Sequence, residues 1–381
     1  MDQDARRKAC ETCDRNVRGL CVAKNQLTEA LVIRDEPACP LGKHSVDPVP
    51  TDSLSPAPVL FFAPQSQWWA ERTQVRRDIL AESGIDSQFY LADSKSLSPY
   101  LSILEQVEPQ IVVNNAMAVQ PEVIRELASR YKDTTFITVN HSSLAHTIGS
   151  AGCALWFGGH LDNTRRLLNC LYASPDERNE LLALAKNSVI WLPNPIRTNV
   201  PDRTREFDRA NVRVLITCRD DVVKNIPTQV IAAGLLEQTF GHHITLRLQV
   251  KGIKTRTRVE PFVSATGMPV EWVPFMERSR FVESLASEVD IVFHASFTES
   301  FCYVAMEALL TGCGVVGSPA IRFLPDSLRP NPDSATEISE AANWVISHFD
   351  VMSALQARAH KQASELNSRF VKTIRSFITV R

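Results

Sequence analysis

Four side chains in the second half of the chain have the types and spacing to handle an anionic, hydroxyl-rich ligand: Arg219, Lys224, Glu299 and Glu307. Arg219 and Lys224 stand five apart, following the strand Val212 to Thr217 and preceding a helix that opens near Pro227. Two cations beside a helix N-terminus suit a diphosphate, because guanidinium, ammonium and unpaired backbone N–H groups all favour phosphate oxygens. The same pair would also sit well in a solvated loop. Glu299 and Glu307 are eight apart; the first follows the strand Asp290 to Phe293, and the second lies among Ala305, Met306, Ala308, Leu309 and Leu310. A carboxylate on so apolar a helix is costly to bury unless it is hydrogen-bonded. Sugar or ribose hydroxyls are suitable partners, and capping of a helix start is the alternative.

Other groups surround this set. His141 follows the strand Thr135 to Val139, with His146 five residues on as a competitor, and His294 ends the strand that leads to Glu299. Each is read either as a ligand-facing residue or as a satisfied structural histidine. Trp68 and Trp69 could form a stacking platform for a sugar or base, or pack on a neighbouring helix. Cys10, Cys13, Cys21 and Cys39 give four thiolates in a C-x2-C-x7-C-x17-C arrangement. Four thiolates match a tetrahedral zinc site, with His44 as an alternative ligand and an iron–sulfur cluster as the competing reading. So short a segment cannot fold on apolar burial alone and needs such a staple. The remaining five cysteines are scattered and read as small buried hydrophobes.

These groups need a scaffold. The 381 residues suffice for two ordinary domains, and a hydrophobic fraction of 44% fits a globular protein. Net charge is -2, so no global field draws the chain to nucleic acid or membrane. No apolar run has the ~18 residues of a membrane span, and the start lacks the apolar core of a secretory signal, so a cytoplasmic protein is expected. Residues 1–45 form a Cys-rich module and 46–57 a Pro/Ser/Asp-rich linker. Strands then alternate with helices in two series. The first has strands at Val59 to Phe62, Gln110 to Val113, Thr135 to Val139 and Ser188 to Leu192. The second has strands at Val212 to Thr217, Ile244 to Val250, Val270 to Val273, Asp290 to Phe293 and Gly314 to Gly317. This pattern predicts an α/β protein with two open parallel sheets, at 58–200 and 211–350, and a final helical segment at 351–381. In such sheets ligands sit at the carboxyl ends of strands, which is where the chemistry-bearing residues fall.

The segment Ser296, Glu299, Phe301, Glu307, Ala308, Gly312, Val315 resembles the S-x-x-E-G-F-G-x4-E-A signature of retaining glycosyltransferases with the GT-B fold, above all glycosyltransferase family 4. Arg219 and Lys224 look like that family's diphosphate clamp. Leu192 to Ile196 looks like the Pro-Asn segment closing its first domain, and Asn140-His141 like its first-domain strand end. The resemblance implies two Rossmann-like domains facing a cleft and a nucleotide-diphosphate sugar as co-substrate, without a catalytic metal. It gives Arg219 and Lys224 the diphosphate, Glu299 the donor-sugar hydroxyls and Glu307 the ribose. It places the backbone of Ser300, Phe301 and Cys302 against the donor and His141 across the cleft. A last helix, about Met352 to Phe377, would return to the first domain. The chain departs from the pattern at Ser300 and Cys302, where the family has glycine. Cys218 replaces a further glycine, and Pro64 to Trp69 stand in place of a glycine-rich loop.

The ending Cys39-Pro-x-Gly-Lys resembles small Cys-rich modules of phage-encoded proteins, which makes modified phage DNA one acceptor to consider beside glycan, protein and lipid. Basic and acidic residues are nearly balanced in residues 1–45, so electrostatics adds little for DNA. Two other functions fit the scaffold: a nucleotide-sugar epimerase, and a binding module on a transferase that has lost activity. Under the transferase reading, Lys224→Ala or Glu299→Ala should abolish turnover and leave thermal stability nearly unchanged.

Overall fold

Runs such as Val59-Leu-Phe-Phe and Ile111-Val-Val carry apolar residues at every position, the pattern of a strand covered on both faces. In the computed structural model, residues 54–378 are described apart from 93–95, 142, 144–146, 148–150, 176–187, 219–221 and 251–252, with three two-residue strands, Asn16–Val17, Leu20–Cys21 and Gln26–Leu27, nearer the N-terminus. The apolar runs are strands, fully buried in β1 (Val59–Pro64) up to its last residue and throughout β3 (Ile111–Asn115).

The first sheet comprises β1, β2 (Ser87–Ala92), β3, β4 (Thr135–Val139), β5 (Cys170–Ser174) and β6 (Val189–Trp191), in the spatial order β2-β1-β3-β4-β5-β6. The second comprises β7 (Asn211–Cys218), β8 (His243–Val250), β9 (Val270–Trp272), β10 (Ile291–Phe293) and β11 (Gly314–Val316), in the order β9-β8-β7-β10-β11. Every pairing in both sheets is parallel. These are the two Rossmann-like α/β layers of the GT-B fold. The connecting helices are α1 (Gln67–Glu82), α2 (Ser98–Val107), α3 (Pro121–Arg130), α4 (Ala151–Arg166), α5 (Ile226–Phe240), α6 (Ile253–Thr266), α7 (Arg278–Glu288) and α8 (Tyr303–Leu310). Two more, α9 (Ala335–Ser347) and α10 (Met352–Arg375), complete the chain.

Strand order sets the place for a ligand. In each sheet the chain winds first to one side of the founding strand and then to the other, so the strand order reverses between β1 and β3 and between β7 and β10. The crevice at such a reversal is where open α/β sheets bind ligands. Helix α10 ties the two layers together. Met352, Ala359 and Ala363 belong to the core of the second sheet, whereas Phe370, Val371 and Ile374 pack under the first. Residues 203–213 are anchored by Asp290, fully buried, which accepts from Arg203, from Arg205 at 3.3 Å and from the Arg213 backbone N–H at 2.8 Å.

Several elements go beyond the sequence reading. Strand β2 and helices α2 and α4 are unmarked by long apolar runs, β5 is a mixed Cys-Leu-Tyr-Ala-Ser, and α6 contains Pro261. Helix α8 begins at Tyr303, with Cys302 extended as its N-cap (φ -91°, ψ 94°). No helix among the described residues is long and apolar enough to cross a membrane.

Candidate active site

The loops after β7 and β10 leave the second sheet side by side and are stitched together. Gln229, on α5 and buried, donates to the Lys224 carbonyl at 2.7 Å and accepts from the Ala295 N–H at 3.0 Å. The Phe297 N–H donates to the Val223 carbonyl at 2.8 Å. Asn225 takes the left-handed conformation (φ 52°), which asparagine tolerates better than most residues, and donates to the Ala295 carbonyl at 3.3 Å. Lys224, in a single 3-10 turn, is thereby fixed facing the loop that carries Glu299.

The Lys224 ammonium donates to Glu299 Oε1, which also meets His294 Nε2 at 2.8 Å. Both members of the ion pair are largely buried, at 11% and 9% side-chain exposure. Burial alone would raise the Glu299 carboxyl; hydrogen bonding and charge from His294, then from Lys224, override it and hold the group at about 2. The carboxylate is therefore ionised across the physiological range. Arg219 lies outside the described residues, as does His146.

Glu307 is buried at 1% exposure on α8, yet it is paired across the cleft. Its Oε1 accepts from Arg72 Nη1 of α1 at 2.7 Å and from Arg278 Nε of α7 at 2.8 Å. Burial opposes ionisation here too; the charges of Arg72 and Arg278 and their hydrogen bonds outweigh it and lower the pKa. Glu307 Oε2 has no hydrogen-bond partner among the described residues. Arg72 lies 3.8 Å from the Tyr303 ring and 5.4 Å from that of Trp68, within cation–π range.

His141 sits on the opposing wall at the end of β4. Its shortest contact, 2.6 Å to Asn115, sets the tautomer through a relay, over a longer 3.4 Å approach of the Arg76 guanidinium to the same nitrogen. Thr73 gives its hydroxyl proton to the Trp69 carbonyl at 2.7 Å, so it accepts from Asn115 Nδ2 at 3.0 Å. Asn115 Oδ1 must then accept, and His141 Nε2–H donates to it at 2.6 Å. Nδ1 is left as a bare acceptor without a partner among the described residues. Desolvation, then the neighbouring Arg76 charge, pushes the imidazolium pKa well below 6.5, so the ring is neutral. Trp69 lies against His141 with ring centroids 5.0 Å apart, while Trp68 is 45% exposed and packs edge-on against Trp69. The pair therefore lines the cleft wall.

Lys224, Glu299, Ser300, Phe301, Cys302, Glu307 and His141 thus converge on one cleft. Ser300 Oγ donates to the His141 carbonyl across it. Phe301 packs edge-on to Tyr303 at 5.0 Å, and Cys302 is buried. Sequence reasoning missed Arg72, Arg76, Arg278, Asn115 and Tyr303. Arg72 and Arg76 are one helical turn apart on α1 and, with Thr73 between them, are buried at 5%, 2% and 0% exposure; in sequence, two arginines at that spacing read equally as a solvated helix face. Cys10, Cys13 and Cys39 lie outside the described residues; Cys21 falls in the strand Leu20–Cys21, of whose side chains nothing is described.

With this geometry in place, likeness to solved structures is informative about the scaffold. The chain superimposes on sucrose-phosphate synthase from Thermosynechococcus elongatus with a TM-score of 0.65 at 13% identity, covering 84% of this chain and 98% of that one. Anabaena HepE in complex with UDP and glucose gives a TM-score of 0.62 at 14% identity, covering 84% and 100%. A glycosyltransferase from Rickettsia africae gives 0.65 at 11%, covering 86% and 100%. These likenesses establish the shared fold over nearly the whole length of each neighbour. No protein-family model matches the sequence, and no curated protein matches it.

Proposed function

We propose that the protein is a retaining glycosyltransferase that uses a nucleotide-diphosphate sugar. The observation that carries the reading is the convergence of Lys224 and Glu299 at the second sheet's reversal point, facing His141 at the carboxyl end of the first sheet. In this reading Lys224, with Arg219, neutralises the departing diphosphate and lowers the barrier electrostatically. Glu299, ionised and oriented by Lys224 and His294, accepts hydrogen bonds from donor-sugar hydroxyls. Glu307 accepts from the ribose through Oε2. His141 offers Nδ1 as an acceptor to a hydroxyl entering the cleft. The backbone of Ser300, Phe301 and Cys302 borders the donor, and substitution at the anomeric carbon proceeds on the face from which the diphosphate leaves, through an oxocarbenium-like transition state. Four thiols of the N-terminal segment, Cys10, Cys13, Cys21 and Cys39, are proposed to hold a structural zinc.

The first test is a thermal-shift panel of nucleoside diphosphates and nucleotide sugars without added metal. The HepE complex with UDP and glucose puts uridine nucleotides first. A shift of several degrees with one nucleotide family supports the donor site. Slow donor hydrolysis in wild type, absent in Glu299→Ala, supports catalysis; donor isomerisation would instead point to an epimerase. No shift with any nucleotide favours a scaffold without activity. An acceptor screen with glycans, peptides, lipids and hydroxymethylated DNA follows a positive result.

A further inference from the structure

Cys302 occupies a position where the resembling pattern has glycine, and the side chain it adds does not fall in empty space. Its thiol, a His294 ring nitrogen and a Glu299 carboxylate oxygen all lie within 4.8 Å of one another. Three atoms so spaced lie within about 2.8 Å of a common point, the separation divided by the square root of three. Zinc bonds run to ~2.0–2.3 Å for nitrogen, oxygen and sulfur, so side-chain shifts of well under ~1 Å would bring all three into coordination.

The three groups are held by different supports. His294 ends β10, with its backbone N–H bonded to the Val316 carbonyl at 2.8 Å; Cys302 is the N-cap of α8; Glu299 lies in the loop between them. His294 and Cys302 are 5% and 3% exposed. A thiolate, an imidazole and one carboxylate form a mixed N/O/S set, which favours zinc over the hard cations magnesium and calcium. On binding, the thiol releases its proton to solvent, and thiolate plus carboxylate match the ion's double charge.

We propose that His294, Glu299 and Cys302 form a zinc-type cation site with its fourth coordination position open. The ion replaces the Lys224 ammonium as the counter-charge of Glu299. Because Glu299 is then withdrawn from the donor, zinc and nucleotide sugar exclude one another; this second clause rests on the glycosyltransferase reading, and the first does not.

The test uses the full chain, stripped with a chelator and dialysed against zinc, with metal per chain read by elemental analysis. N-terminal thiols also take up metal, so the difference between proteins is the readout. Cys302→Ser and His294→Gln should each bind one equivalent less than wild type. The same decrement should appear in a Cys10→Ser/Cys13→Ser background. With cobalt in place of zinc, Cys302→Ser should lose part of the thiolate-to-metal charge-transfer absorption, whereas magnesium leaves zinc uptake unchanged. Serine is a favoured N-cap, so Cys302→Ser should fold, and its thermal transition checks this. Equal metal content in wild type and both variants overturns the site. Adding UDP-glucose should displace the equivalent that the variants lack. If the decrement is seen but no nucleotide sugar binds or displaces it, the metal site stands and the donor reading falls.

Discussion

Glu307→Gln keeps the shape of the side chain and removes its charge, and the cost can be worked from its surroundings. In the wild type one buried carboxylate serves two guanidiniums, Arg72 at 5% and Arg278 at 11% exposure. Hydrogen bonds to charged groups contribute ~1.5–3 kcal/mol against ~0.5–1.5 for neutral ones, so weakening two of them costs about 2–3 kcal/mol. With Arg72 and Arg278 then left facing each other without a counter-charge, the total approaches the ~3–5 kcal/mol that breaking a buried ion pair usually costs. At roughly 2–4 °C per kcal/mol for a domain of this size, Tm should fall by about 10 °C. Arg72→Ala leaves Glu307 paired with Arg278 and should cost less, about 1–3 kcal/mol. The double variant should lose less than the sum, because the two arginines no longer face each other uncompensated. Urea unfolding of the four proteins completes the cycle. A Glu307→Gln protein within about 0.5 kcal/mol of wild type, inside the range of surface substitutions, would refute the reasoning.

Four further outcomes are expected. Lys224→Ala and Glu299→Ala should abolish turnover. Contrary to what the sequence suggests for stability, Lys224→Ala should also destabilise by about 1–3 kcal/mol, since it leaves a carboxylate only 9% exposed with His294 as its remaining partner; a wild-type urea midpoint would count against the buried pair. The Glu299 contribution should be complete above its ordinary value of 4.5 and vanish as pH falls through about 2. The stability gap between wild type and Glu299→Gln should therefore be flat above pH 5 and shrink below it. For His141, a folded pKa well below 6.5 means that its contribution is full above 6.5 and is lost as pH falls. No break in kcat/KM near 6.5 should trace to this residue, and a break abolished by His141→Gln would contradict a neutral His141 ring. Asp290→Asn should cost about 3–5 kcal/mol, because two arginines and a backbone N–H converge on it, while nucleotide affinity measured by titration stays at the wild-type level.

The scaffold was legible where a strand's burial shows in its own composition. Strands covered on both faces read as apolar runs where the run is continuous, as in Val59 to Ala63 of β1 and Ile111 to Val113 of β3. At the edge of the first sheet, β2 is buried only in its second half and gives no such run. The site was legible to the extent that its residues follow strand ends in order along the chain, as Lys224, Glu299 and His141 do. Pairing between the two halves was not. Arg72 and Glu307 are 235 residues apart, and nothing local marks either as the other's partner. Gln229 was hidden for a different reason: it holds two loops together through their backbones, a role that any polar residue on that helix face could signal equally.

The same cross-cleft contacts suggest how the cleft is kept closed. Where the resembling pattern places glycines and a glycine-rich loop, this chain puts side chains that bridge: Ser300 Oγ to the His141 carbonyl, and Arg72 to Glu307 and the Tyr303 ring. Bridges of this kind favour the closed form before any ligand arrives. Combining Ser300→Gly with Arg72→Ala removes both bridges and leaves Glu307 its bond to Arg278. The population should then shift toward an open cleft, read as a larger radius of gyration by solution scattering without nucleotide, and nucleotide should restore compaction. Each single variant should show a smaller effect than the pair. If the double variant scatters like wild type, closure resides elsewhere, in the α10 helix that enters both cores, and the cleft side chains follow the domains rather than hold them.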